Sequence, residues 1–184
     1  MLSVAINNTT VAMAQTKTAG TFTQIIYSPR GGVEGFLLKV DDEPVQFVVD
    51  KHDEALPSVV AALETGQQLI VTGEPTPPSS KGAGAHVVQS LVKLVSIDGA
   101  APKKIKAGSQ GYSGTVIRFN YAKHGAPNGY VLDSGDFIHV KPDGFLRLKL
   151  QIGDRIKADG DAHFLETGSG WAVEATSVNG KKLK

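Results

Sequence analysis

The 184-residue chain carries 19 Lys and Arg against 18 Asp and Glu, a formal net charge of +1, with 41% hydrophobic and 20% charged residues. That balance excludes the strong overall positive field of an avid polyanion binder, so any nucleic-acid site must be local. Cysteine is absent, which excludes disulfides and thiolate metal sites, and no apolar run approaches the ~20 residues that cross a bilayer.

The chain opens with Ala12-Met13-Ala14, which looks like a processing site, but no basic residue precedes it and Asn7-Asn8-Thr9-Thr10 interrupts the apolar stretch. Residues 1–19 are therefore expected to form a flexible polar arm rather than an export leader, with the protein in the cytoplasm. Next, residues 22–27 read as a strand, rich in β-branched and aromatic residues, running into a loop with Pro29 and Gly31-Gly32. Return strands are expected at 36–40 and 44–49, separated by the turn Asp41-Asp42-Glu43. Residues 53–63 then place Leu56, Val59, Val60 and Leu63 at helical spacing, with Pro57 tolerable only in the first turn. Strands at 68–72 and 86–97 follow, separated by a Pro-, Ser- and Gly-rich surface loop at 74–85.

The pattern then starts again. Residues 21–35 (TFTQIIYSPRGGVEG) match residues 115–129 (TVIRFNYAKHGAPNG) without a gap, with Thr21/Thr115, Tyr27/Tyr121, Gly31/Gly125 and Gly35/Gly129 in register. Later segments correspond in the same order: 66–73 (GQQLIVTG) with 153–160 (GDRIKADG), and 92–99 (VKLVSIDG) with 173–180 (VEATSVNG). Such repetition predicts a duplicated domain. The expected units are residues 20–99 and 111–184, the latter with a basic tail, joined by a linker at 100–110 that holds Lys103, Lys104 and Lys106. Units this small sit near the lower limit of what holds a core unaided, which gives the copies reason to pack on each other. In the second copy, strands are expected at 116–121, 130–133, 136–140, 155–158 and 171–178. Its 142–152 stretch alternates Leu146, Leu148, Leu150 and Ile152 and predicts at most one helical turn.

The order strand, strand, strand, helix, strand, strand predicts an all-β chain with one short helix per repeat at most, built as two tandem five-stranded OB-type Greek-key barrels. The second copy carries an aromatic strand ending in a basic, glycine-containing loop (Tyr121, Lys123, His124, Gly125), then Gly129, Leu132, Gly153-Asp154 and Gly160. On those residues the chain resembles bacterial tandem OB-fold proteins, a resemblance that implies nucleic-acid binding by fold analogy. The first copy departs from the pattern at Gly66-Gln67, which lacks the aspartate.

OB barrels bind oligonucleotides or oligosaccharides across strands two and three and the loops joining strands one to two and four to five. That placement selects Tyr27 and Arg30 in the first copy, and Arg118, Tyr121, Lys123, His124, Tyr130 and His139 in the second, as candidates to stack on bases or pair with phosphates. Two readings stand for Tyr27 and Tyr121: base stacking, or a hydroxyl that fixes the adjacent loop. Trp171 likewise reads as a stacking ring at the four-to-five loop or as packing. A catalytic reading finds no support. The five histidines show no H-x-x-x-H or H-E-x-x-H spacing, no G-x-S-x-G is present, and Gly82-Ala83-Gly84 is not followed by G-K-[ST]. No cofactor or metal is expected. The function expected is weak, sequence-independent binding of single-stranded DNA or RNA; the rival is a protein-interaction or assembly module, and a third class is oligosaccharide binding.

Overall fold

The computed structural model describes residues 14–77, 79–81, 84–96, 112–168 and 170–183. The expected linker at 100–110 with its three lysines, the first thirteen residues of the expected arm, and Lys184 lie outside the described residues.

A first set of strands, β1 (Thr16–Tyr27), β2 (Val33–Val40), β3 (Glu43–Val48), β4 (Gln68–Pro75) and β5 (Val87–Ser96), forms a closed barrel in the order β1-β2-β3-β5-β4. The β3–β5 pair is parallel and the others are antiparallel, as in a Greek key. Helix α1 (Leu56–Ala61) connects β3 to β4. The second set repeats this order with β6 (Ser113–Tyr121), β7 (Pro127–Leu132), β8 (Phe137–His139), α2 (Pro142–Leu148), β9 (Arg155–Phe164) and β10 (Trp171–Val178). Its pairings run β6–β7–β8–β10–β9 and back to β6, again with one parallel pair, β8–β10. A two-residue strand, β11 (Lys181–Lys182), is added to β10.

Several elements differ from the expectations. β1 starts at Thr16, inside the stretch expected as an arm, because Thr16–Thr21 pair with Gly73–Gln68 of β4. Lys17, Thr18, Ala19 and Gly20 offer no large apolar side chain, so nothing in their composition announces the strand. Helix α2 is longer than one turn. Leu146 is 71% exposed and Leu148 is 9% exposed, so residues two apart lie on opposite sides, as a turn of about 100° per residue requires. Pro142 in its first turn and a left-handed Lys149 (φ 53°) at its end bound it. Finally, β9 continues to Phe164, six residues past the end of the strand expected at 155–158. Helix α1 is shorter than its periodic stretch; the Asp53 carboxylate accepts the N–H groups of Ala55 and Leu56 ahead of it, and Val60 is its buried residue.

Two apolar clusters fill the structure. One contains Tyr130, Leu132, Ile138, Ile156 and Val173 and belongs to the second barrel. The other is built on Phe22, Phe36, Phe47, Leu69 and Val71 of the first barrel, but it extends to Val131, Phe137, Leu165 and Ala172 of the second. The two barrels thus share a core.

Gly35 and Gly129, matched in the repeat, sit where β2 and β7 cross their neighbours at van der Waals distance. A Cβ at Gly129 would meet the carbonyl oxygen of Ile138, and one at Gly35 would meet that of Phe47. Neither backbone oxygen can move without breaking its ladder. Gly129→Ala is therefore expected to lower stability by about 1–3 kcal/mol, read from urea unfolding midpoints.

Candidate functional site

The two opening hairpins face each other across the junction of the barrels, and their matched residues exchange hydrogen bonds. Gln24 Nε2 donates to the carbonyl of Phe119 (3.0 Å), and Arg118 Nη1, at the matched position, donates to the carbonyl of Ile25 (3.0 Å). Asn120 adds a pair without a counterpart, because Ile26 occupies its matched position. Its Oδ1 accepts the Tyr27 N–H (2.9 Å) and its Nδ2 donates to the Tyr27 carbonyl (3.0 Å) and to Asn128 Oδ1 (2.9 Å). Asn120 is wholly buried, so these bonds satisfy backbone groups that water cannot reach.

This arrangement seats the loop after β1 against the second barrel and the loop after β6 against the first, giving two related junctions of unlike chemistry. At the first, the Tyr27 ring lies 5.9 Å from that of Phe137, and both join the cluster with Leu165 and Ala172. The backbone N–H of Glu166 donates to the Gly31 carbonyl (3.0 Å), while its carboxylate accepts the Val33 N–H (2.9 Å). At the second junction the residue matching Phe137 is Gln46, as the pairing of each with the middle of its neighbouring strand shows. Gln46 Nε2 donates to the Ala122 carbonyl (2.9 Å), which turns its Oε1 toward His86 Nε2 (2.7 Å). His86 Nε2 therefore carries the proton of the neutral ring. The His86 ring meets the Tyr121 ring edge to face at 4.6 Å. The Ala85 N–H closes the contact on the Gly125 carbonyl (2.8 Å).

Above this polar junction lies a groove of about 800 Å³ lined by Thr76, Ser79, Lys81, His86, Lys123 and His124 over an apolar floor of Val87 and Val88. Its described lining contains no carboxylate. Lys123 is half exposed and reaches Glu34 Oε1 at 3.8 Å, a long contact of little strength in water. Burial pushes the Glu34 carboxyl above its ordinary value despite the opposing pull of Lys123. The Lys123 ammonium, half exposed, stands between Glu34 and the groove.

The structure brings three of the expected site residues, Tyr121, Lys123 and His124, together at this groove or beneath it. It separates the other five. Tyr27 is 5% exposed and packed in the apolar junction, with the Arg118 guanidinium 5.6 Å from its ring centre. Burial lowers the Arg118 pKa, but a guanidinium stays charged, and the ring and the Ile25 carbonyl are its partners. Neither group faces solvent as a stacking platform or phosphate clamp. Tyr130 is wholly buried, its ring stacked on Phe145 at 4.9 Å, and burial pushes its phenol to about 12. Arg30 is exposed at the rim of the apolar junction. His139 lines a separate cavity of about 350 Å³ with Asp161 and Glu174, which would repel phosphates. Trp171 meets Phe164 edge to face and packs on the second core.

Lys81, His86 and Gln46 were not singled out from the sequence. The signal available for them was the difference in length between the loop at 74–85 and its shorter counterpart.

Two predictions follow from these contacts. Asn120→Ala strands the buried N–H and carbonyl of Tyr27 and should cost about 2 kcal/mol or more in denaturant unfolding. Burial also pushes the His86 imidazole below its ordinary value near 6.5 and does the same to His139, where Glu174 partly offsets it and Lys141 adds to it. As pH falls through about 6.5 the unfolded chain takes up these protons before the folded protein does, so the stability is complete above that value and declines below it. Glu34 acts with the opposite sign in a window that opens near 4.5. The thermal midpoint should therefore drop between about pH 7.5 and 5.5, and His86→Asn should make that drop smaller.

No family model and no curated protein matches the chain. Among solved structures it is similar to the wild-type single-stranded DNA binding protein from Thermus aquaticus, with 15% identity, 90% of this chain and 91% of that chain covered, and a TM-score of 0.33. It is also similar to a deletion mutant of that protein, with 14% identity, 92% and 94% covered, and a TM-score of 0.30.

Proposed function

We propose that the protein is a binding protein rather than an enzyme and holds single-stranded nucleic acid, DNA or RNA, in the groove above the polar junction. The observation that carries this reading is that no carboxylate is among the described residues lining that groove, in a molecule whose overall charge is close to zero. Lys81 and Lys123 supply phosphate partners, Ser79 supplies a neutral donor, and His86 and His124 supply flat rings that can stack on bases. Of the residues expected from sequence, Lys123 and His124 keep a direct role. Tyr121 acts beneath them by holding the His86 ring, and Arg30, at the rim of the other junction, takes no part in the groove.

A protein-docking module is the second reading, favoured by the exposure of Leu146 (71%) and Ile152 (61%) on the second barrel. It does not use the groove, so changes to the groove separate the two.

Fluorescence anisotropy of a labelled oligothymidylate tests the proposal. Affinity should fall with salt, the slope of log K against log salt being about −0.7 per neutralised phosphate and so roughly −1.4 from the two lysines. Lys123→Ala should weaken binding and flatten the slope by about half. Affinity unchanged between low and moderate salt would overturn the reading.

A further inference from the structure

We infer that each chain holds one nucleic-acid strand, at the polar junction alone, and that the related apolar junction has become a structural lock; this rests on the function proposed above. The two barrels repeat the same strand order and pack their opening loops on each other by matched hydrogen bonds from Gln24 and Arg118. A pair of equivalent surfaces would be expected to give two equivalent sites. The side chains at the matched positions show otherwise.

At the apolar junction, Phe137 stands where Gln46 stands at the other, and it closes on Tyr27 and Leu165. Leu165 is wholly buried, so the place a ligand would take is filled by core. The Glu166 carboxylate occupies the backbone N–H of Val33 and adds a negative charge at the rim. At the polar junction the residue matched to Val33 is Pro127, which has no N–H to satisfy, and no carboxylate is among the described residues lining the groove there. Lys81, between β4 and β5, lines that groove.

Charge also limits how far a strand can run. An adjoining groove of about 600 Å³ shares Lys123 but is lined by Asp50, Asp53 and Glu74 with Lys51. Phosphates that pass Lys123 in that direction meet three carboxylates against one further cation. The cavity beside His139 has Asp161 and Glu174 directly opposite each other on paired strands. Cationic lining without carboxylates is thus confined, among these grooves, to the polar junction.

Titration of the full chain with a short oligothymidylate of about six nucleotides at low salt tests the inference, with occupancy read by calorimetry and affinity by anisotropy. One oligonucleotide per chain is expected. The double variant Lys81→Ala, Lys123→Ala should lose about tenfold in affinity through two phosphate contacts. Arg30→Ala, at the rim of the apolar junction, should stay within about twofold of the unaltered protein. All three side chains are exposed or half exposed, and circular dichroism serves to check that the variants fold. Two oligonucleotides per chain, or an Arg30→Ala loss equal to that of the lysine pair, would overturn the single-site inference and leave nucleic-acid binding standing. No binding by the unaltered protein at low salt would overturn both.

Discussion

The docking of the two barrels rests on the buried amide of Asn120. A strand end normally presents its free N–H and carbonyl groups to water, but both groups of Tyr27 are covered by the other barrel and need partners there. One planar side chain supplies a donor and an acceptor at the right spacing, and Asn128 holds its remaining donor. With that pairing in place, Gln24 and Arg118 can reach the opposite backbone, and the two opening loops seat against the opposite barrels. Loops that would serve only ligands in a lone barrel serve assembly as well in this one.

The matched positions around the pairing then diverge according to what they touch. Phe137 and Gln46 occupy the same place in the two copies, and each recruits neighbours of its own kind: Tyr27 and Leu165 around the phenyl ring, His86 and the Ala122 carbonyl around the amide. The polar set is less stabilising than an apolar one of equal volume, since hydrogen bonds formed on folding replace bonds to water. A fully satisfied polar network beside an open groove is the arrangement a binding site needs, because it fixes the orientation of His86 before a ligand arrives.

Strand order and the repeat were legible in the sequence because turn residues punctuate them: Gly31-Gly32, Asp41-Asp42, Gly125 and Ser134-Gly135 each end a strand. Pro57 likewise located the start of α1. Solvent exposure was not legible in the same way. Alternation along a strand tells which side chains face into their own barrel, and the reading for Tyr27 and Arg118 stopped there. The unbroken apolar runs Ile25-Ile26-Tyr27 and Phe36-Leu37-Leu38 carry the missing information, since every one of these six residues is at most 8% exposed. Runs without polar alternation mark strands covered on both faces. The groove was hidden for another reason: Lys123 is far from Lys81 and His86 in sequence and meets them only because the two barrels dock.

The apolar cluster that crosses from Phe22 and Phe47 to Phe137 and Ala172 has a thermodynamic meaning for the whole chain. Barrels strung on a linker can melt one at a time, each with its own free energy. Here the first barrel cannot expose its interior without uncovering Leu165 and Phe137, and the second cannot open without stripping Tyr27 of its neighbours. Cooperativity therefore belongs to the pair, and the smallest unit with a defined stability is the two barrels together.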